Sequence, residues 1–342
     1  MNKKSKSIFF VGHEAYRTGA PLLLLSLVKW IDENLDYRIY IFLITGGPLI
    51  EEYKKFGKVI IFERPRRFGR FIQDFKFRIL LTKEKPEFVY FNTVVSLKFF
   101  YRFRSHLSSF RKVLHIHEMP FSITQLIGKD PDFKDFFKIL VVNQAISNYL
   151  EGLDKKKNEV MLTPEYIDAK QLGPLCSEIL SRDRKTILGV GVTSWRKGFD
   201  YFLQTAAICK RIYPGEFYFV WVGPSEKEIR DKIEYEVQLL GLTGEFTLIG
   251  ESKDVKRYYS QADLFFLTSR EDPYPLVMLE AAFFKIPVLY FAQTGGAEEF
   301  FNFKPFEIPY GDCLLSAFKI KNILNSKDDF DNELESFKQK AI

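Results

Sequence analysis

Hydrophobic positions along the chain gather into short runs at 8–11, 37–44, 59–62, 88–92, 113–117 and 139–143, a length and pattern that predict buried strands. Between most of them the apolar spacing turns helical, first over 22–31. A more polar stretch from 169 to 183 reads as a linker, after which the alternation restarts. Strands are predicted at 186–192, 217–223, 246–249, 264–267 and 288–291, with helices over 198–212, 226–240 and 275–284. Strand–helix alternation predicts an α/β fold with parallel, doubly wound sheets. Two such series predict two tandem Rossmann-like domains, 1–168 and 184–325, followed by an amphipathic tail over 326–342.

Length agrees with two domains, because 342 residues exceed the ~250–300 at which a single core stops growing. Three scattered cysteines (Cys176, Cys209, Cys313) show no metal-ligand spacing and suit a reducing compartment. The basic start is followed by too short an apolar run for a signal core of ~7–15 residues, and no run approaches the ~18 of a membrane helix. The reading is a cytoplasmic protein, at the inner face of the membrane if it meets one.

Charge sharpens this. The net +6 is concentrated in residues 63–112, where thirteen Lys/Arg stand against four Asp/Glu among many phenylalanines and tyrosines. The densest parts are 64–71 and 97–104. Such a stretch is either a solvated face over an aromatic core, a surface for an anionic membrane or lipid-borne acceptor, or an RNA surface. Nucleic acid is the least favoured of the three.

The chemistry concentrates in 269–287. Glu271 and Asp272 form an acidic loop that runs through two prolines into an apolar helix carrying Glu280. Pro275 suits a helix start, and the amides of Leu276 and Val277 just after it form an anion site aided by the helix dipole. Carboxylates beside an anion site suit a ligand that is both anionic and rich in hydroxyls, such as a nucleotide-sugar.

Other candidates sit at predicted strand ends, where doubly wound sheets bind ligands. Arg196 and Lys197 lie in the 191–198 loop and can neutralise a diphosphate. Gly19 and Ala20 lie in the first strand–helix loop, which lacks Gly-x-Gly-x-x-Gly and so argues against a dehydrogenase. His115 and His117 are two apart on a predicted strand and share one face, but no third ligand has metal-like spacing. Gly295 and Gly296 permit close backbone approach. The Asp-x-Asp at 329–331 stands in the polar tail and reads as chance.

Residues 269–287 with Gly295-Gly296-Ala297-Glu298 resemble the donor-site signature of family 4 (group 1) retaining glycosyltransferases, with two acids flanking seven residues, here Asp272 and Glu280. The family's first acid is usually Glu; Asp stands in that register here, with Glu271 displaced by one. The 191–198 loop is similar to the family's Lys-Gly diphosphate element, although the Arg that many members carry five positions before the lysine is Val192 in this chain.

The resemblance implies the two-Rossmann-domain (GT-B) fold with its active site in the central cleft, and sugar transfer with retention from a UDP- or GDP-linked donor. It implies no metal and no other cofactor. It assigns Lys197, with Arg196, to the leaving diphosphate; Asp272 to the donor sugar, with Glu271 beside it; Glu280 to the ribose; and His117 to the sugar or acceptor. Gly19, Pro275, Leu276, Val277, Gly295 and Gly296 fall on the donor side, and Ala20 and Glu118 on the acceptor side. The implied acceptor is a growing cell-surface glycan (lipopolysaccharide, O-antigen or capsule) or its lipid carrier, and the tail is implied to pack on the N-terminal domain. Rival readings are a nucleotide-sugar epimerase on the same scaffold, a degenerate glycosyltransferase-like partner subunit, and an RNA-binding protein.

Overall fold

The computed structural model describes residues 6–62, 67–129, 131–153, 159–167, 169–173, 183–252 and 254–342, and the side chains of 67, 68, 170 and 171 are also outside the description. Arg64, Arg66, Cys176 and most of the expected linker therefore lie outside the described residues. The chain divides into two compact units, Met1–Glu165 and Tyr166–Ile342.

The first unit runs β1 (Lys6–Gly12), α1 (Gly19–Asn34), β2 (Tyr37–Leu43), α2 (Ile50–Tyr53), β3 (Lys58–Ile61), α3 (Arg67–Glu84), β4 (Phe88–Asn92), α4 (Leu97–Leu107), β5 (Arg111–Ile116), α5 (Pro120–Ile127), β6 (Lys138–Val141), α6 (Gln144–Leu153) and β7 (Val160–Leu162). Its seven strands pair in parallel in the order β3-β2-β1-β4-β5-β6-β7. Consecutive strand residues face opposite sides of a sheet, and in β1 both sides are covered. Phe10 packs with Leu24 and Val28 of α1. Phe9 instead meets a phenylalanine cluster, with Phe42 at 5.0 Å and Phe77 of α3 at 6.4 Å between ring centres. Phe99 and Phe103 of α4 join that cluster. The aromatic residues of 97–104 are thus largely core: Phe99, Phe100 and Phe103 are buried.

The second unit runs α7 (Ala169–Leu172), β8 (Lys185–Val190), α8 (Phe199–Ile212), β9 (Phe217–Val222), α9 (Lys227–Leu239), β10 (Phe246–Gly250), α10 (Lys256–Tyr259), β11 (Leu264–Leu267), α11 (Leu276–Phe283), β12 (Val288–Phe291), α12 (Gly296–Phe301), β13 (Glu307–Ile308), α13 (Cys313–Asn325) and α14 (Asp331–Ala341). Six parallel strands lie in the order β10-β9-β8-β11-β12-β13. Trp221 anchors one face, edge-on to Phe199 and Phe202. The tail, expected on the N-terminal half, places α14 against α11. Phe337 meets Phe301 at 4.9 Å, and Lys285 pairs with Glu335 at 2.5 Å.

In each order the strand sequence reverses once, between β1 and β4 and between β8 and β11. A doubly wound sheet opens a crevice at such a switch point, beyond the carboxyl ends of the strands. The loops after β1, β4 and β5, and those after β8, β11 and β12, therefore carry the candidate sites.

Candidate functional site

In the second unit the loops after β8 and β11 interlock. Gly198 adopts φ +64°, and a Cβ there would stand 1.9 Å from the Thr268 carbonyl oxygen. Only glycine lets the end of the 191–198 loop lie this close to the end of β11. Thr268 Oγ1 donates to the Lys197 carbonyl at 3.1 Å, and Arg270 N donates to the Arg196 carbonyl at 2.8 Å. Arg270 completes the clamp. Its guanidinium donates to the Trp195 carbonyl at 2.6 Å, grips Asp200 through both oxygens at 2.8 and 2.5 Å, and stacks 4.2 Å over Tyr201.

This clamp brings Lys197 and Asp272 together across 75 positions of chain. Lys197 Nζ lies 2.5 Å from Asp272 Oδ2, which also accepts from Ser269 Oγ at 2.9 Å. Arg196 Nη1 donates to the Glu271 carbonyl at 2.9 Å and stands 3.6 Å from Asp272 Oδ1. Burial alone would raise the Asp272 carboxyl; the charges of Lys197 and Arg196 and the hydrogen bonds from Lys197 and Ser269 outweigh it and hold it below the usual aspartate range. Asp272 is thus committed to its own loop partners. Lys197 and Arg196 both stand beside the Asp272 carboxylate.

Gly295 and Gly296 serve the same loop. Gly295 sits at φ +140° and pairs with Asp272, where a Cβ would stand 1.9 Å from the Asp272 carbonyl oxygen. The close approach predicted for this pair is therefore to the protein's own backbone. Pro275 immediately precedes α11, so the amides of Leu276 and Val277 fall in the first turn, where no intrahelical acceptor exists. Glu280, one turn further on, accepts from Tyr259 Oη at 2.8 Å. Its carboxyl is raised by burial, with the Tyr259 hydrogen bond and the Lys256 charge opposing.

In the first unit, His117 follows β5 with both ring nitrogens engaged. Nε2 meets Asn92 Oδ1 at 3.0 Å and Nδ1 meets Glu165 Oε1 at 2.9 Å. Asn92 in turn donates through Nδ2 to the Ala20 carbonyl at 2.9 Å, which ties the loop after β1 to β4. Burial, with His13 nearby, pushes the His117 imidazole down to about 3. Both ring nitrogens thus lie within hydrogen-bond distance of a protein oxygen. Glu118 Oε2 accepts from Val94 N at 3.2 Å and from His117 N at 3.1 Å, yet burial still lifts its carboxyl to about 7. His115 bonds Tyr90 Oη through Nδ1 at 2.5 Å. A Cβ on Gly19 would meet open space.

The structure therefore joins Lys197, Arg196, Glu271, Asp272, Gly295 and Gly296 in one constellation, with Pro275, Leu276, Val277 and Glu280 following along α11. His117, Glu118, Ala20 and Gly19 belong to the first unit. Sequence reasoning missed Arg270, Ser269, Tyr259, Asn92 and Glu165 as site residues. Asn92 was legible as the last residue of a predicted strand, whereas Arg270 carries no signal of its own. Among the described residues, no three His, Cys, Asp or Glu side chains cluster as metal ligands.

Comparison with known proteins bears on this geometry. Residues 177–306 match the family described as glycosyl transferases group 1. That span holds Arg196, Lys197, Asp272, Glu280 and the glycine pair. An uncharacterized glycosyltransferase of Haemophilus influenzae is 28% identical over 128 residues, 37% of this chain and 35% of the relative. The amylovoran biosynthesis glycosyltransferase AmsD of Erwinia amylovora is 24% identical over 164 residues, 47% of this chain and 45% of the relative. The chain thus spans less than half the length of these curated relatives. Among solved structures, Anabaena HepE in complex with UDP and glucose aligns over 98% of this chain and 93% of its own, with a TM-score of 0.74 and 18% identity. The fold is the two-domain α/β fold of the GT-B glycosyltransferases.

Proposed function

We propose that the protein is a retaining glycosyltransferase that moves a sugar from a nucleoside diphosphate donor to an acceptor hydroxyl in cell-surface glycan synthesis. The observation that carries this reading is the Arg196–Lys197–Asp272 constellation at the switch point of the second sheet, inside the span that matches group 1 glycosyl transferases. The UDP and glucose bound to Anabaena HepE support a UDP-linked donor, and the naming of AmsD for amylovoran biosynthesis supports a glycan acceptor.

In this reading the diphosphate lies against Lys197, Arg196 and the first-turn amides of Leu276 and Val277, where fixed positive charge meets the negative charge that develops on departure. Glu280 holds the ribose hydroxyls. Asp272 sets the position of Lys197, and the Arg270 clamp holds the loop that bears both cations. The acceptor oxygen forms its bond to the anomeric carbon on the face from which the diphosphate leaves. The sugar–phosphate bond breaks, and the acceptor's proton passes to the departing phosphate oxygen. His117 acts by fixing Asn92 and the 13–21 loop.

The test is product analysis by nuclear magnetic resonance with UDP- and GDP-sugars and a panel of glycan acceptors. Acceptor-dependent release of nucleoside diphosphate, with the donor's anomeric configuration kept in the product, is the expected result. Interconversion of the donor sugar without an acceptor would replace this reading with an epimerase.

A further inference from the structure

Helix α3 has two apolar faces, and only one of them is buried. Phe77 and Leu81 close onto the phenylalanine cluster under β1 and β2. On the opposite side Phe71, Ile72, Phe75 and Ile79 are exposed, at 69%, 39%, 57% and 52%. At 3.6 residues per turn these four side chains fall within a single arc of about 100°. Arg78 borders the arc on one side, and Lys83 and Lys76 on the other, all three of them exposed. The helix's two acids are turned away from this face and paired: Asp74 with Arg102, and Glu84 with Arg38 at 3.1 Å. Every exposed charge described on α3 is thus cationic.

A solvated helix face does not need large aromatic side chains in its centre, and a self-association face would not need cations on both flanks with the acids turned away. An apolar stripe between two basic borders is the pattern of a helix lying in the headgroup region of a bilayer. We infer that α3 is a membrane-docking helix that inserts Phe71, Ile72, Phe75 and Ile79 at the surface of an anionic phospholipid bilayer while Lys76, Arg78 and Lys83 pair with its phosphates. Among the described residues no helix is long and apolar enough to cross a membrane. The contact is therefore peripheral, and it sharpens the expectation for 63–112: the docking residues are on α3, whereas the aromatic residues of α4 are mostly core. The inference stands on α3 alone and is independent of the donor site.

Vesicle co-sedimentation of the full chain tests it, comparing pure phosphatidylcholine with phosphatidylcholine containing phosphatidylglycerol. Wild type is expected to bind the anionic vesicles, to bind the neutral ones far less, and to weaken as salt rises. Phe71→Ser with Phe75→Ser, and separately Lys76→Gln with Arg78→Gln, should each weaken binding by about tenfold or more. All four side chains lie outside the core, so melting temperature and circular dichroism should be unchanged, which keeps folding failure separate. Absence of anionic binding by folded wild type would overturn the inference, as would equal binding by both double variants. Sedimentation velocity supplies a further check, because an oligomer that dissociates in the Phe71/Phe75 variant would show that this face joins two copies of the chain instead.

Discussion

Lys197→Ala should lower kcat/KM for sugar transfer by about 10²- to 10³-fold, the range found when one preorganised donor to developing negative charge is removed. The argument is geometric. Lys197 is held at the β8–β11 switch point by the Gly198 turn, by the Thr268 hydrogen bond to its carbonyl, and by its 2.5 Å contact with Asp272. Its ammonium is therefore in place before any ligand arrives, and little reorganisation is needed as the diphosphate departs. Arg196 stands at the more exposed edge, 46% against 15% for Lys197, where solvent screens its charge more. Steady-state kinetics with the identified donor provide the check, and a loss of less than about threefold, far below that range, would remove Lys197 from the leaving-group role.

Asp272→Asn should produce two effects of opposite sign. Removing one partner of a buried ion pair commonly costs about 3–5 kcal/mol, because the other charge stays buried without compensation. Lys197 and Asp272 are both largely buried, so the second unit should melt at a lower temperature in the variant. The same change removes a carboxylate that competes with an anion for Lys197 and Arg196. Saturating nucleoside diphosphate should then raise the melting temperature of Asp272→Asn by more than that of wild type. Calorimetric scans with and without UDP and GDP read both effects. An unchanged melt with an equal ligand shift would mean that the pair contributes neither to stability nor to charge balance.

Much of the fold was legible because its strands are covered on both faces. Residues such as Phe9, Phe10 and Val11 form continuous apolar runs too short for a buried helix. The strands that escaped the pattern, Val160–Leu162 and Glu307–Ile308, are edge strands of three and two residues, too short to show a pattern. Within the site, Lys197, Asp272 and Glu280 could be picked out because each is a charged residue in or beside a predicted strand-end loop or helix start. What the sequence could not show is which partners these groups spend their hydrogen bonds on. Asp272 was assigned to the donor sugar, and folding also sets its Oδ2 against Lys197 and Ser269. His117 was assigned to a hydroxyl, but Glu165 and Asn92, 48 and 25 positions away in the chain, occupy its ring. Arg270 was invisible because its significance lies in Asp200 and the Trp195 carbonyl, which only the sheet order brings beside it. The aromatic-basic stretch was ambiguous until packing sorted Phe77, Phe99 and Phe103 inward and left Phe71 and Phe75 outside.

The central claim is that the second unit binds a nucleoside diphosphate through Lys197. Thermal stabilisation by UDP, GDP, ADP and CMP, measured in parallel on wild type and Lys197→Ala, tests it most directly. At about 100 times its dissociation constant a ligand adds about 2.7 kcal/mol of apparent stability. The account predicts a clear upward shift with one nucleoside diphosphate, little with CMP, and loss of that shift in Lys197→Ala. No shift with any of the four in folded wild type, or a shift that survives intact in the variant, would contradict it.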